Sequence, residues 1–502
     1  HLPYSTQIPF ALAALYESHK DLAEAKLVYE KLAKDYDKKP AGLDAQVKIA
    51  QLDFNAGRQA EAERRLSEVL RQNPRSAEGL ILQGKMALIE RNGKDAVQAF
   101  RTVLRDQPEV AHVHYLLGQA YLMTGASTLA RESFEQAVAL QPGLVDAGLA
   151  LAMIENRGGQ SQRARTRLTA ILKSHSDHRQ ALELMFGLDL ASGDWNHAAS
   201  ILKRLQQITG DSAAILMAEG RLQEAQQNLA AALDSYQRAT ALAFDAQEPL
   251  VAVIRLELQQ KQPERARLRL ERIIASHPNH PFAHGLLGEV FALVGLQDNA
   301  TVHFREATRI NPTWVTPWLN WATLAISQDK AEKAIQTLRE GLAANPASEE
   351  LHMLLASVLA SQDSVDEAIA AYDAVLRMNP RNIFSANNLA SLLADHKSDA
   401  PNLERAFLLS REFERDAPHP LFLDTLGWVR LKMGHMEDAV RLMRQAIAKA
   451  PDLAAVNYHL GSALYQSGKK HEAKAYLAKA LKSAEMFQGR REAAQLLAQV
   501  SG

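Results

Sequence analysis

Small and large apolar residues recur along this chain with a period of 34. Alanine stands at Ala62, Ala96, Ala130, Ala164, Ala198, Ala232, Ala266, Ala300, Ala334 and Ala368, ten successive positions at that spacing, flanked by Ala25, Ala406, Ala439 and Ala473. In six blocks a large residue follows four positions later: Tyr29, Phe100, Phe134, Tyr236, Phe304 and Tyr372. A spacing of four puts both residues on one face of a helix. A second set of small residues, Gly84, Gly118, Gly220, Gly288, Gly427 and Gly461, precedes the alanines. Between the two sets fall Gly57, Gly125, Gly159, Gly193, Gly295, Gly434 and Gly468. Glycine there suits a turn where a first helix stops. Proline closes the unit at Pro74, Pro108 and Pro142, and again at Pro278, Pro312, Pro346 and Pro380, where a missing N–H ends a second helix. The pattern predicts fourteen helical hairpins. One hairpin cannot bury its apolar face alone, whereas a stack of them can.

These positions resemble the tetratricopeptide repeat. In the block ending at Pro142 the match is Leu117, Gly118, Tyr121, Ala130, Phe134, Ala137 and Pro142. The resemblance implies an all-α fold, an α-solenoid (superhelix) of about fourteen tetratricopeptide hairpins plus a C-terminal capping helix. The solenoid is expected over 1–485, with N-terminal repeats 6–142, degenerate middle repeats 143–276 and C-terminal repeats 277–485. A capping helix and tail follow over 486–502. In the middle stretch Ser176, Gly210 and Phe244 replace the proline, and no glycine marks the turn at Gln226-Gln227-Asn228. A short insertion within Asp395–Asn402 lengthens the turn of the twelfth repeat.

Composition agrees and narrows the function. Strong helix formers dominate and aromatics are only 6%, which leaves little with which to build a large sheet. The charges nearly cancel, 57 Lys+Arg against 58 Asp+Glu, so the basic surplus expected of a nucleic-acid or anionic-membrane binder is missing. With no cysteine, thiolate metal sites and cysteine nucleophiles are excluded. No apolar run reaches the length that spans a bilayer. The chain starts at His1, as an excised or processed piece would.

Little in the chain points to chemistry. His280 and His284, four apart beside His277, have the spacing of two metal ligands on one helical face. Yet His284 shares its repeat position with His114 and His352, which is a packing position, so core is the better reading. His175 and His178 are a weaker pair. Of Trp314, Trp318 and Trp321, the last two fall at core positions and Trp314 in a loop. Acidic residues are read as solvated helical faces. No phosphate loop, nucleophile elbow or zinc-protease motif is present. The expectation is a non-enzymatic chain without cofactor or metal.

In tetratricopeptide proteins the first helix of each repeat lines the concave face, and this resemblance assigns a partner-binding set: Asn320, Phe384, Asn387, Asn388, Asp424, Trp428, Tyr458 and Tyr465. Asparagine offers both donor and acceptor to an extended peptide, and aromatics add apolar area. The expected partner is a protein or extended peptide, and stacked end repeats offer surfaces for self-association. Residues 387–390, 402–406 and 423–429 are similar to long bacterial envelope proteins associated with exopolysaccharide export or exosortase-type sorting. That similarity implies an envelope or periplasmic scaffold. A cytoplasmic adaptor or co-chaperone, and the regulatory repeat region of a larger enzyme or export protein, stay open.

Overall fold

The computed structural model describes residues 6–484 and 487–501, and among these every regular element is an α-helix. Two compact units divide the chain, His1–Ala243 and Phe244–Gly502. Each is a stack of seven helical hairpins, the second closed by the helix Arg490–Ser501. That helix falls within the expected 486–502; Glu485, Met486 and Gly502 lie outside the described residues. Within each stack a helix packs on the next along the chain, and first helices of adjacent repeats also touch. Among the described residues no helix is long and apolar enough to cross a membrane.

One repeat shows how the sequence builds the unit. Helices Ala111–Met123 and Ser127–Leu140 are joined at Gly125, whose φ of +74° is the left-handed conformation glycine adopts without strain. Ala130 and Phe134 are fully buried. The Phe134 ring lies directly over Gly118, where an added Cβ would stand 2.5 Å from it. Gly84, Gly220 and Gly288 meet Phe100, Tyr236 and Phe304 in the same way. The first-helix glycine is thus the space its own repeat's aromatic ring occupies.

The middle repeats keep this geometry without its usual residues. Gln227 takes the left-handed turn at φ +63°, as Arg91, Lys261, Asp329 and Asp363 do at the equivalent place. Packing of the two helices dictates the turn, and a non-glycine residue accepts the strain. The division between the units falls at Ala243 and Phe244, where proline is replaced. The insertion in repeat twelve places Asp399 as N-cap of the helix Ala400–Ser410, its carboxylate accepting from the Asn402 N–H at 3.1 Å.

Several acids are not solvated. Asp53, Glu155, Asp189 and Glu257 occupy one repeat position, the inner face of a first helix, and all are buried. Twelve residues on, Arg65, Arg167 and Arg269 reach back from the second helix; Arg167 holds Glu155 at 2.8 Å and Arg269 holds Glu257 at 2.7 Å. Asp189 has no arginine at that place and pairs instead with Arg165 and His197. Ala87 with Ala99 and Leu359 with Ala371 put an apolar pair at these two positions instead. A buried charge without its partner would be costly.

Candidate functional site

The histidines singled out by spacing serve the backbone. His280 caps the helix Pro281–Leu293, its Nδ1 accepting from the Ala283 N–H at 3.1 Å, while Nε2 donates to the Phe244 carbonyl at 3.1 Å. His284 Nε2 donates to the Pro278 carbonyl at 2.9 Å. That leaves its Nδ1 to accept from His303 Nδ1 at 3.0 Å. His277 pairs with Ser276 and stacks near Phe244. His178 caps Ala181, and His175 pairs with Ser174.

The contact to the proline carbonyl recurs. His114, Trp318, His352 and Asn457, at the same repeat position as His284, donate to the carbonyls of Pro108, Pro312, Pro346 and Pro451 at 2.8–3.2 Å. The position favours a planar N–H donor, because the carbonyl before each first helix lacks a helical partner. Trp318 and Trp321 are buried as expected, and Trp314 is half-buried over Gly285 and against Phe282. Among the described residues, Asp189, Asp194 and His197 converge closely enough to hold a cation. There Asp189 already carries Arg165, and Asp194 caps the helix Trp195–Thr209.

The expected partner-binding residues fall into three groups. Asn320 donates to Glu289 at 2.8 Å in the neighbouring repeat; burial raises the Glu289 pKa and the Asn320 hydrogen bond partly offsets this. Phe384, 62% exposed on the helix Ile383–His396, is held edge-on by Phe422 with ring centroids 5.7 Å apart. Beside it Asn387 donates to Asn388, and Asn388 donates to the Tyr372 hydroxyl at 3.2 Å. Neither is brought against Asn320.

The third group meets along the helices Pro420–Lys432 and Ala454–Gln466 and is less open than the repeat positions imply. Asp424, Trp428 and Tyr458 are only 5%, 5% and 7% exposed. The Trp428 indole donates to Asp395 at 2.6 Å and stacks on His459 at 4.1 Å, with the Lys432 ammonium 4.8 Å from its ring. His459 Nδ1 donates to Asp424 Oδ2 at 2.8 Å, while Asp424 Oδ1 is buried without a hydrogen-bond partner. Burial alone would lower the His459 pKa, but Asp424 and then Asp395 outweigh it and leave the imidazole above its ordinary value. Tyr458 contacts Trp428 on one side and Phe487 on the other, and Tyr465 donates to Gln499 at 2.9 Å.

Asp395, His396 and Lys432 were not among the expected residues, although Asp395 and Lys432 occupy a repeat position that faces the groove. Phe487, Gln488 and Gly489 carried no repeat signal.

The description "Tetratricopeptide repeat" belongs to the family model that matches residues 90–145, 319–383 and 425–499. The TPR repeat-containing protein PA4667 of Pseudomonas aeruginosa is 26% identical over 210 residues, 41% of this chain and 35% of that protein. The chain thus spans about a third of the length of that relative. Solved structures to which the chain is similar include a chain of the APC/C hetero-tetramer Cut9–Hcn1, at 14% identity over 99% of this chain and 97% of that one, TM-score 0.38. A chain of Naa15/Naa10 bound to HypK-THB matches at 13% over 99% and 96%, TM-score 0.37. A tetratricopeptide repeat protein from Parabacteroides merdae matches at 17% over 51% and 99%, TM-score 0.37. The family matches support the tetratricopeptide-repeat family for this chain.

Proposed function

We propose that this tetratricopeptide-repeat chain is a non-enzymatic scaffold that holds a partner protein or extended peptide on the first-helix face of its C-terminal repeats. Its setting is a bacterial envelope assembly, such as one serving exopolysaccharide export or protein sorting. The observation that carries the reading is Phe384: a large aromatic, mostly exposed, fixed in orientation by Phe422, with the Asn387 and Asn388 amides one helical turn away on the same helix. A rigid aromatic anchor next to adaptable amides is what a protein interface uses for affinity and register. The bacterial relative supports the bacterial setting.

The test is capture from soluble and membrane fractions of the source organism, read by mass spectrometry. Wild-type chain is compared with Phe384→Ala/Asn388→Ala, both checked for equal helicity by circular dichroism. Loss of an envelope protein with the variant is the expected result. Capture of one identical set by both would overturn this assignment of the face.

A further inference from the structure

We propose that Phe487–Gly489 is an internal stand-in for the partner, and that the face of the last three repeats accepts an extended segment bearing an aromatic residue, one spacer and a glycine. This deepens the scaffold reading above and rests on it.

The connection that carries these residues is, with 411–419, longer than the others in its stack. Four residues join consecutive repeats at 311–314, 345–348 and 450–453, whereas seven, 483–489, lie between the helices ending at Lys482 and beginning at Arg490. Its described end, 487–489, lies against first helices of the last three repeats. The Phe487 ring packs against Tyr458 with centroids 5.8 Å apart, and the Arg490 guanidinium lies 5.7 Å from the Phe487 centroid. The Gln488 amide lies 3.1 Å from His396 Nε2, 92 residues earlier and two repeats back, and so donates to that imidazole. Gly489 has φ +87°, and a Cβ there would stand 2.2 Å from the Tyr458 ring. Both the backbone conformation and the space admit glycine alone.

Each contact is one that a separate chain could make. A ring meets a ring, an amide meets an imidazole, and a glycine lets the backbone close on Tyr458. Behind Tyr458 stand Trp428 and His459, themselves fixed by Asp395 and Asp424, so the receiving surface is rigid. Arg490 holds the loop from the other side by donating to the Ser483 and Leu481 carbonyls at 2.9 and 3.0 Å. A tethered segment competes at an effective concentration in the millimolar range. A partner must therefore displace it, and the groove is self-occupied until one does.

The experiment uses the full chain and a fluorescein-labelled peptide of sequence Ala-Glu-Met-Phe-Gln-Gly-Arg-Arg, read by fluorescence anisotropy. The chain variant Phe487→Ala/Gly489→Ala releases the internal segment. It is expected to bind the peptide at least about tenfold tighter than wild type, because the tethered competitor no longer masks the site. Replacing the peptide's phenylalanine by alanine, or adding His396→Ala to the released chain, is expected to weaken binding again. Should the double variant lose helicity, Phe487→Ala alone decides in its place. Equal affinity for wild type and released chain, or binding to neither, overturns the proposal. In that case loss of partner capture with Phe384→Ala/Asn388→Ala would leave the scaffold reading standing, and unchanged capture would remove both.

Discussion

His459 and Asp424 join the first helices of adjacent repeats through one hydrogen bond of 2.8 Å, Nδ1 donating to Oδ2. Both side chains are largely out of solvent, and the imidazole is stacked against Trp428. The pair therefore links the packing of the aromatic face to its charge.

Because Asp424 and Asp395 hold the His459 pKa above its ordinary value despite burial, the pair stabilises most when the imidazole is protonated. The contribution is full below the unfolded value of about 6.5 and is lost as pH rises through the folded value. Asp424→Asn is expected to lower stability at pH 6 by about 1.5–3 kcal/mol, the usual worth of a hydrogen bond to a charged group. Thermal unfolding of both chains at pH 6 and pH 9 checks this: the gap should narrow at pH 9, and a gap that widens there contradicts it.

His303 has the opposite sign. Burial first, then the neighbouring His284, lowers its pKa, and its Nδ1–H is committed to His284. The neutral form is favoured in the fold, so this contribution is present above the unfolded value of about 6.5 and lost below it. His303→Phe is expected to flatten the loss of stability between pH 7 and pH 5. Nuclear magnetic resonance titration of the wild-type imidazole should give a midpoint below the usual histidine range.

Gly118 has no room for a side chain under Phe134. Gly118→Ala is expected to cost about 1–3 kcal/mol through overpacking, and Gly118→Ala/Phe134→Leu to regain much of it. Ala152 over Leu168 and Ala322 over Leu338 already use that smaller combination at the same repeat positions. Chemical denaturation midpoints of the single and double variants provide the measurement.

Glu155 is buried against Arg167, with little solvent to replace the guanidinium. Arg167→Leu alone is expected to destabilise the N-terminal unit by about 3–5 kcal/mol by stranding the carboxylate. Glu155→Leu/Arg167→Leu should recover most of that loss. If the single variant unfolds at the wild-type urea concentration, the pair has no such role.

What could be read from the sequence was whatever is repeated locally. Ala130 and Phe134 are four apart, and Gly118 and Phe134 sixteen apart, so their contacts lie inside one hairpin and recur with each period. A few residues therefore set helix phase, turn position and helix ends, and the hairpin stack was legible from them. Even so, Glu155 and Asp189 look in sequence like any solvated acid on a helix. Their burial shows only when the arginine from a neighbouring helix is placed.

The candidate site was legible as a set of repeat positions but not as a surface. Phe384 is open as its position implies, while Trp428 and Tyr458, assigned by the same rule, are covered. The difference comes from contacts between residues far apart in the chain: Trp428 with Asp395 at a separation of 33, His459 with Asp424 at 35, Gln488 with His396 at 92. The sequence by itself determined the helices, their order and the face each presents, because short-range periodic packing is enough to specify them. Only the tertiary structure decided which of those faces stay open, because exposure depends on which distant side chains fill the space in front of them.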